Sequence, residues 1–183
     1  MKVFIGLGNP GEDYNNTRHN YGFSLLDYFS KKIKVNFEYK NKFDSKIAET
    51  ELANQKIFLL KPQTFMNNSG EVIKKFINFY KIDIQDIVVI YDDLDIELGT
   101  YRTSGIGSAG HRGMKSIMDI LKTNDIARYR LGINSPNRGI LAADVFVLEE
   151  FKDSEIKQKE SVINNVVEKI IDDLNKNHKL NCL

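Results

Sequence analysis

Short apolar runs alternate with helix-like patterns along most of the chain. The runs "KVFIGLG" and "DIVVIYDD" are rich in β-branched residues and are typical of buried strands, and "KIFLLK" and "ARYRLGIN" are weaker strand candidates. Apolar residues at three- and four-residue spacing predict amphipathic helices in "GFSLLDYFSKKI", "SGEVIKKFINFY" and "GMKSIMDILK". Strands that alternate with helices predict an α/β fold, with a largely parallel or mixed sheet covered by helices on both faces.

The length of the chain favours one domain. With 183 residues, 42% of them hydrophobic, it can bury one sizeable core and is short for two. We predict a single domain over residues 1–183, ending in an amphipathic helix over about residues 152–178. The sequence contains no run of about 18 apolar residues and no secretory signal pattern, so we expect a cytoplasmic protein. Its one cysteine, Cys182, excludes an intramolecular disulfide and a cysteine-rich metal site.

Charge is unevenly distributed, although the net charge is only +1. Six acids and no base lie between residues 83 and 97, namely Asp83, Asp86, Asp92, Asp93, Asp95 and Glu97. Residues 99–140 hold two acids and seven bases, which are Arg102, Arg112, Lys115, Lys122, Arg128, Arg130 and Arg138. Such a local excess of bases can meet the phosphates of a nucleic acid, but a solvated surface of uneven composition explains it equally well.

The glycines near the N-terminus raise the alternative of a nucleotide-binding module. Gly6, Gly8 and Gly11 fit G-x-G-x-x-G, the spacing that opens dinucleotide-binding units. In those units the helix starts within the motif, and an acid at the end of the next strand binds the ribose hydroxyls. Here a polar, loop-like stretch follows the glycines, and the acid at about the right distance, Asp27, lies within a predicted helix. A nicotinamide or flavin site is therefore disfavoured.

Polar segments follow three of the predicted strands. They are "NPGEDYNNTRHN", "KPQTFMNNSG" and "YDDLD", which we interpret as loops. Ligands of open α/β sheets bind at the carboxyl ends of strands, so we expect the polar side chains of these loops to lie together. The first loop offers Asn9, Tyr14, Arg18, His19 and Asn20.

These side chains favour an attack by water over a covalent nucleophile. The chain has no G-x-S-x-G elbow, and its cysteine is at the far terminus. His19 is the candidate base, because an imidazole with an ordinary pKa of about 6.5 accepts a proton near pH 7. Asp92, the first carboxylate after its strand, is the candidate partner that orients the imidazole. Asp93 and Asp95 can hold Mg²⁺, but acids in loops are more often solvated.

Several segments together resemble the signature segments of bacterial-type peptidyl-tRNA hydrolase. In chain order they are "GLGNPGEDYNNTRHNYGF", "KPQTFMNNSGE", "YDDLDIELG" and "GSAGHRGMKSI", and "RYRLGI" and "DVFVLEEF" continue the match to about residue 151. The resemblance implies an enzyme that cleaves the ester between a peptide and the 3′-terminal ribose of tRNA, and so recycles tRNA from stalled peptides. It also implies a monomer with one domain, a twisted mixed sheet between helices, and no metal or cofactor.

The resemblance implies a role for each residue that matches a signature segment. His19 matches the catalytic base, Asp92 the acid that positions and polarises this base, and Asn9 the amide near the scissile ester. The residues expected to bind substrate are Tyr14, Phe65, Met66, Asn67, Gly110 and Arg112, and those expected to bind tRNA phosphates are Lys115, Arg128 and Arg130.

The chain departs from the family pattern beside one signature glycine. Where the family usually has Gly-Gly-His-Asn-Gly, this chain has Gly110, His111, Arg112 and Gly113, so an arginine replaces the asparagine and one residue is missing. Arg112 either grips the 3′-terminal phosphates or points away from them, because a guanidinium has only donors and a longer reach. The shorter loop also puts Ser104 near a position where relatives carry a phosphate-binding lysine. We expect altered substrate binding with the chemistry retained.

The same departure keeps one alternative function open. Some plastid intron-splicing factors resemble this family and bind RNA without catalysis on the same fold. The change at Arg112 favours that reading, and the retained His19 with its carboxylate argues against it.

Overall fold

The computed structural model describes residues 1–181, with the side chains of residues 1–176, so Cys182 lies outside the described part. The strands are β1 (Lys2–Gly6), β2 (Glu38–Lys40), β3 (Ser45–Leu52), β4 (Gln55–Pro62), β5 (Ile87–Glu97), β6 (Tyr101–Arg102) and β7 (Ala127–Asn134). The helices are α1 (Tyr21–Lys32), α2 (Ser69–Tyr80), α3 (Arg112–Leu121), α4 (Ala143–Phe146) and α5 (Asp153–Asn181). Within residues 1–181, no helix combines the length and the apolar character needed to cross a membrane.

All of these strands join one mixed sheet, in the order β2-β3-β4-β1-β5-β7-β6. The four central strands β4, β1, β5 and β7 pair in parallel. The outer strands β2, β3 and β6 pair antiparallel with their neighbours. The predicted α/β fold is therefore confirmed, and its parallel centre brings the carboxyl ends of several strands to one edge.

The sheet separates two apolar cores, as expected for strands buried on both faces. On one face α1 and α5 pack through residues such as Phe29 and Val166. On the other face α2 and α3 pack through residues such as Phe76 and Ile117. Because both faces are covered, the open end of the sheet is left for polar side chains.

The N-terminal glycines allow close packing of a strand against a helix. A Cβ atom on Gly6 would lie 2.5 Å from the carbonyl oxygen of Gly22, and one on Gly22 would lie 2.3 Å from that of Ile90. Helix α1 begins only at Tyr21, well after Gly11, unlike the helix of a dinucleotide-binding unit. At Gly11 the backbone has φ +111°, which an L side chain rarely adopts, so this glycine shapes the turn that leads toward His19.

The segment "YDDLD" was predicted as a loop, and this prediction was wrong. The structure continues β5 to Glu97, since its backbone stays paired with β7 through Asp93 and Gly132. The register shifts only between Asp93 and Glu97. Tertiary pairing of the backbone outweighs the low strand propensity of a run of aspartates, so these carboxylates project from a strand of defined geometry.

Of the two strands in the β3–β4 hairpin, only β4 was predicted from the sequence. The two strands pair from Ser45 and Pro62 to Leu52 and Gln55. The two residues between them, Ala53 and Asn54, have φ +52° and φ +55°, as a tight hairpin turn requires. Alanine is not one of the residues that mark such a turn in a sequence, and β3 itself is largely polar, so neither signal was available.

Candidate active site

A cleft of about 750 Å³ lies at the carboxyl ends of β1, β4 and β5. Nine of the predicted site residues line it, namely Asn9, Tyr14, His19, Phe65, Met66, Asn67, Asp92, Gly110 and Arg112. Lys115, Arg128 and Arg130 are not among its lining residues. Residues from four distant parts of the chain thus converge where parallel sheets usually hold their ligands.

At the floor of the cleft, the buried carboxylate of Asp92 accepts hydrogen bonds from two imidazoles. His19 Nδ1 lies 2.9 Å and 3.1 Å from the two carboxylate oxygens of Asp92, and His111 Nε2 lies 3.0 Å from Oδ1. The backbone N–H of Met114 donates to His111 Nδ1 at 3.1 Å, so the proton of that ring is on Nε2 and points at Asp92. His19 likewise donates through Nδ1, which leaves its Nε2 as the proton acceptor in the cleft.

The pKa values of these groups agree with that arrangement. Burial raises the pKa of Asp92, but the charges and hydrogen bonds of His19 and His111 outweigh it and hold the pKa well below its ordinary value. The pKa of His19 lies above its ordinary value. Burial and the charge of Arg112 lower this pKa, but the charge and hydrogen bond of Asp92 together raise it by more. Burial also lowers the pKa of His111, despite its contact with Asp92. The floor therefore pairs a carboxylate of lowered pKa with two imidazoles whose pKa values shift in opposite directions, upward for His19 and downward for His111.

The amide of Asn9 is held in one orientation. Its Oδ1 accepts from the backbone N–H of Met66 at 3.0 Å, which is possible only if the oxygen points toward that N–H. Asn20 brackets the backbone of Asn9, because its Oδ1 accepts from the Asn9 N–H at 2.8 Å and its Nδ2 donates to the Asn9 carbonyl at 3.0 Å. The Nδ2 hydrogens of Asn9 are therefore left to donate into the cleft that this residue lines.

The predicted substrate-binding residues of the second loop differ in exposure. Met66 is buried and packs against the start of α3, where a Cβ on Gly113 would meet its sulfur at 2.5 Å. Phe65 is 57% exposed and meets the ring of Tyr14 edge to face, with 6.4 Å between ring centroids. Asn67 is exposed at the rim. This side of the cleft thus offers two aromatic rings and an amide to a ligand.

The predicted cations occupy different surroundings. Arg112 is exposed at the first residue of α3 and forms no ion pair within the described chain. Lys115 is exposed one turn further along the same helix. Arg130 is partly exposed and donates to Asp93 Oδ2 at 2.7 Å and to the Ser104 carbonyl at 3.2 Å.

Arg128 is buried and anchors the loop that precedes α3. Its guanidinium donates to the carbonyls of Gly107 at 2.6 Å, Asn124 at 2.8 Å and Ile126 at 3.0 Å. Only 3% of the residue is exposed. These contacts assign Arg128 to loop structure, and they leave its side chain poorly placed to reach a phosphate.

The sequence did not indicate that His111 and residues 136–150 contribute to the cleft. His111 is the N-cap of α3, and histidine is not a usual N-cap residue, so the helix pattern carried no sign of its contact with Asp92. Residues 136–150, which we call the outer wall, contribute Arg138, Ala143, Asp144, Val147 and Leu148 to the cleft. They include a one-turn helix and little else that is regular, so no periodicity indicated their position.

The floor of the cleft also contains the residue types of a metal site. Among the described residues, His19, Asp92 and His111 are the one group of three whose ligand atoms all lie within 4.8 Å of each other. The imidazole nitrogens lie at hydrogen-bond distances from Asp92, and a metal would have to displace both bridging protons. The Mg²⁺ site considered at Asp93 and Asp95 is not formed, because Asp93 accepts from Arg130 and from the Asp95 backbone N–H instead.

Comparison with known proteins identifies close relatives of the whole chain. A family model described as peptidyl-tRNA hydrolase matches residues 3–181. A peptidyl-tRNA hydrolase of Mycoplasma capricolum is 45% identical over 173 residues, covering 94% of this chain and 92% of the relative. One from Thermoanaerobacter sp. is 43% identical with the same coverage. The crystal structure of peptidyl-tRNA hydrolase from Acinetobacter baumannii matches with a TM-score of 0.87 and 28% identity, covering 99% of this chain and 91% of that one.

Proposed function

The chain belongs to the peptidyl-tRNA hydrolase family, and we propose that it cleaves the ester between a peptide and the 3′-terminal ribose of tRNA. The observation that carries this proposal is the His19–Asp92 pair, which opens on a cleft beside an oriented amide of Asn9. A base, a carboxylate that orients it and a donor for an oxyanion are the groups that ester hydrolysis by water needs.

In the proposed reaction, His19 Nε2 takes a proton from water as the water oxygen attacks the ester carbonyl. Asp92 stabilises the imidazolium that forms, because its carboxylate already accepts from Nδ1. The Nδ2 hydrogens of Asn9 donate to the developing oxyanion, a contribution of about 3 kcal/mol in a dry site. The bond between the carbonyl carbon and the 3′ oxygen then breaks, and His19 returns its proton to that oxygen, which leaves as the tRNA 3′-hydroxyl. The other product is a peptide carboxylic acid, which loses the second water-derived proton to solvent and leaves as the carboxylate.

The binding residues are proposed from their position in the cleft. Tyr14, Phe65 and Asn67 suit a peptide of variable sequence, since aromatic faces and an amide recognise backbone and bulk more than one side chain. Arg112, unpaired within the described residues, suits a phosphate near the 3′ end. Lys115 and Arg130 lie outside the cleft and suit the tRNA body, with contacts that weaken as salt is added.

We also propose that the protein works as a monomer in the cytoplasm. The cleft is lined by this single chain, with base, carboxylate and amide all present. A substrate released by ribosomes would be met in that compartment.

The test is the release of N-acetyl amino acid from N-acetyl-aminoacyl-tRNA, with free aminoacyl-tRNA as the control substrate. Wild-type protein should cleave the acetylated substrate only, and His19→Ala should lower the rate by about 10³-fold, because the general base is lost. A melting curve checks that the variant is folded. Well-folded wild-type protein that binds tRNA and cleaves nothing would contradict the proposal and support the RNA-binding alternative.

A further inference from the structure

Both ends of the outer wall converge on one buried carboxylate. Glu155, in the first turn of α5, is 3% exposed. Just before the wall, the Ser135 hydroxyl donates to its Oε1 at 2.5 Å. Just after the wall, the Lys152 backbone N–H donates to its Oε2 at 2.8 Å. One side chain therefore closes the loop that forms this wall.

Arg18 joins that carboxylate to the turn that carries the catalytic base. Its Nη2 donates to Glu155 Oε2 at 2.6 Å, and the residue is fully buried. The guanidinium carbon lies 4.2 Å from the ring centroid of Phe146 and 4.8 Å from that of Phe151. Arg18 directly precedes His19 in the chain, so the ion pair ends one residue from the base.

Two backbone hydrogen bonds also connect the outer wall to the His19 turn. The N–H of His19 donates to the Val147 carbonyl at 2.7 Å, and the N–H of Arg18 donates to the Glu149 carbonyl at 3.0 Å. These two amides therefore report directly whether the outer wall is docked on the His19 turn.

Apart from these bonds and an antiparallel bridge between Thr17 and Glu150, few buried contacts hold the wall in place. Residues 139–145 are all exposed, and Phe146 is the wall's one buried apolar side chain. A segment with so few buried contacts opens at low cost unless specific bonds hold it. The Nε and Nη1 atoms of Arg18 have no hydrogen-bond partner within the described residues, so Glu155 is the main compensation for a buried charge. Breaking such a pair is costly even where forming it adds little net stability.

We propose that Glu155, acting through Arg18, is a positioning residue that holds the outer wall closed and so sets how tightly the cleft binds substrate. The proposal rests on the proposed function, since the wall matters only if the cleft is the active site. The side chain of His19 is held separately, by Asp92 on β5. Loss of Glu155 should therefore weaken substrate binding more than it slows the chemical step.

The experiment compares Glu155→Ala and Glu155→Gln with the control Glu168→Ala. Glu168 lies on the same helix and pairs with Lys32 on α1, away from the cleft. With N-acetyl-aminoacyl-tRNA, Glu155→Ala should raise KM about tenfold and change kcat less than about threefold. Glu155→Gln keeps the shape and some acceptor capacity, so its effect should be smaller, and Glu168→Ala should match wild type.

Hydrogen exchange gives a second readout that does not depend on activity. In both Glu155 variants the amides of Arg18 and His19 should exchange faster than in wild type, by about tenfold or more relative to the core amide of Ile5. If Glu155→Ala folds poorly, the exchange measurement on Glu155→Gln alone tests the proposal, because this substitution leaves the side-chain volume nearly unchanged.

Three outcomes would overturn the proposal. Unchanged exchange at Arg18 and His19 would show that the wall stays docked without Glu155. A kcat that falls with the folded fraction, at unchanged KM, would assign Glu155 to fold stability alone. A shift of the pH profile without a rise in KM would mean that Glu155 acts on the base. Wild-type protein that cleaves nothing would defeat the proposed function, while the exchange data would still decide whether Glu155 closes the wall.

Discussion

The floor and the outer wall of the cleft are built in opposite ways. The floor consists of buried side chains on or beside strand ends, where Asp92 is 2% exposed and accepts from two imidazoles. The wall is mostly exposed, with Ile140 fully in solvent. Backbone hydrogen bonds join it to the His19 turn, and the residues that flank it hydrogen-bond to Glu155. In the proposed reaction, the sheet thus fixes the groups that transfer the proton, and a separately held loop would face the large and varied substrate.

The change with the largest expected effect removes the charge at the floor. Asp92→Asn should lower kcat by about 10³-fold, because an amide neither stabilises the imidazolium nor holds its tautomer. Asp92 raises the pKa of His19, so its loss should lower that pKa and move the acid limb of the kcat/KM profile to lower pH. The measurement is the pH profile on N-acetyl-aminoacyl-tRNA.

The neighbouring residue provides a matched control. Asp93 is equally buried but accepts from Arg130 and the Asp95 backbone, and it hydrogen-bonds to neither His19 nor His111. Asp93→Asn should therefore leave the acid limb in place. An acid limb that did not move in Asp92→Asn would contradict the assignment of His19 as the base that this limb reports.

A smaller effect is expected at the second imidazole of the floor. His111→Asn should keep the cap of α3, since an asparagine oxygen can accept from the Met114 N–H, but it removes the third hydrogen bond to Asp92. We expect kcat/KM to fall about tenfold with little change in melting temperature. His111→Ala should lose the cap as well and about 1 kcal/mol of stability. If His111→Asn were as active as wild type, His111 would serve the helix and not the site.

The smallest effect is expected at the rim, from Arg112. Its charge lowers the pKa of His19, so Arg112→Asn should raise that pKa and move the acid limb to higher pH. Activity at pH 6 should then fall relative to activity at pH 8, whereas Arg112→Lys should keep the wild-type profile. A cation at the first residue of a helix opposes the helix dipole, so Arg112→Asn should also stabilise the fold by about 0.5 kcal/mol. If the acid limb of Arg112→Asn stayed at the wild-type pH, the guanidinium of Arg112 would point away from His19.

Parts of the site could be predicted because strand ends are visible in a sequence. His19, Asp92 and Asn9 each follow an apolar run of strand type, and parallel strands bring such ends to one edge. His111 could not be assigned, since it follows a glycine loop and lies beside Asp92 only through the packing of α3. The burial of Arg128 was equally hidden, because its partners are backbone carbonyls that any sequence supplies.

The sequence by itself determined the alternation of strands and helices, the α/β class of the fold and the family resemblance. These follow from periodicity, spacing and residue type, which are local properties of the chain. Only the tertiary structure decided which polar side chains pair with each other, cap a helix or anchor a loop. Such a role depends on a partner far along the chain, 73 residues for His19 with Asp92 and 137 for Arg18 with Glu155. Burial then makes each of those pairings costly to break, which is why distant partners define the site.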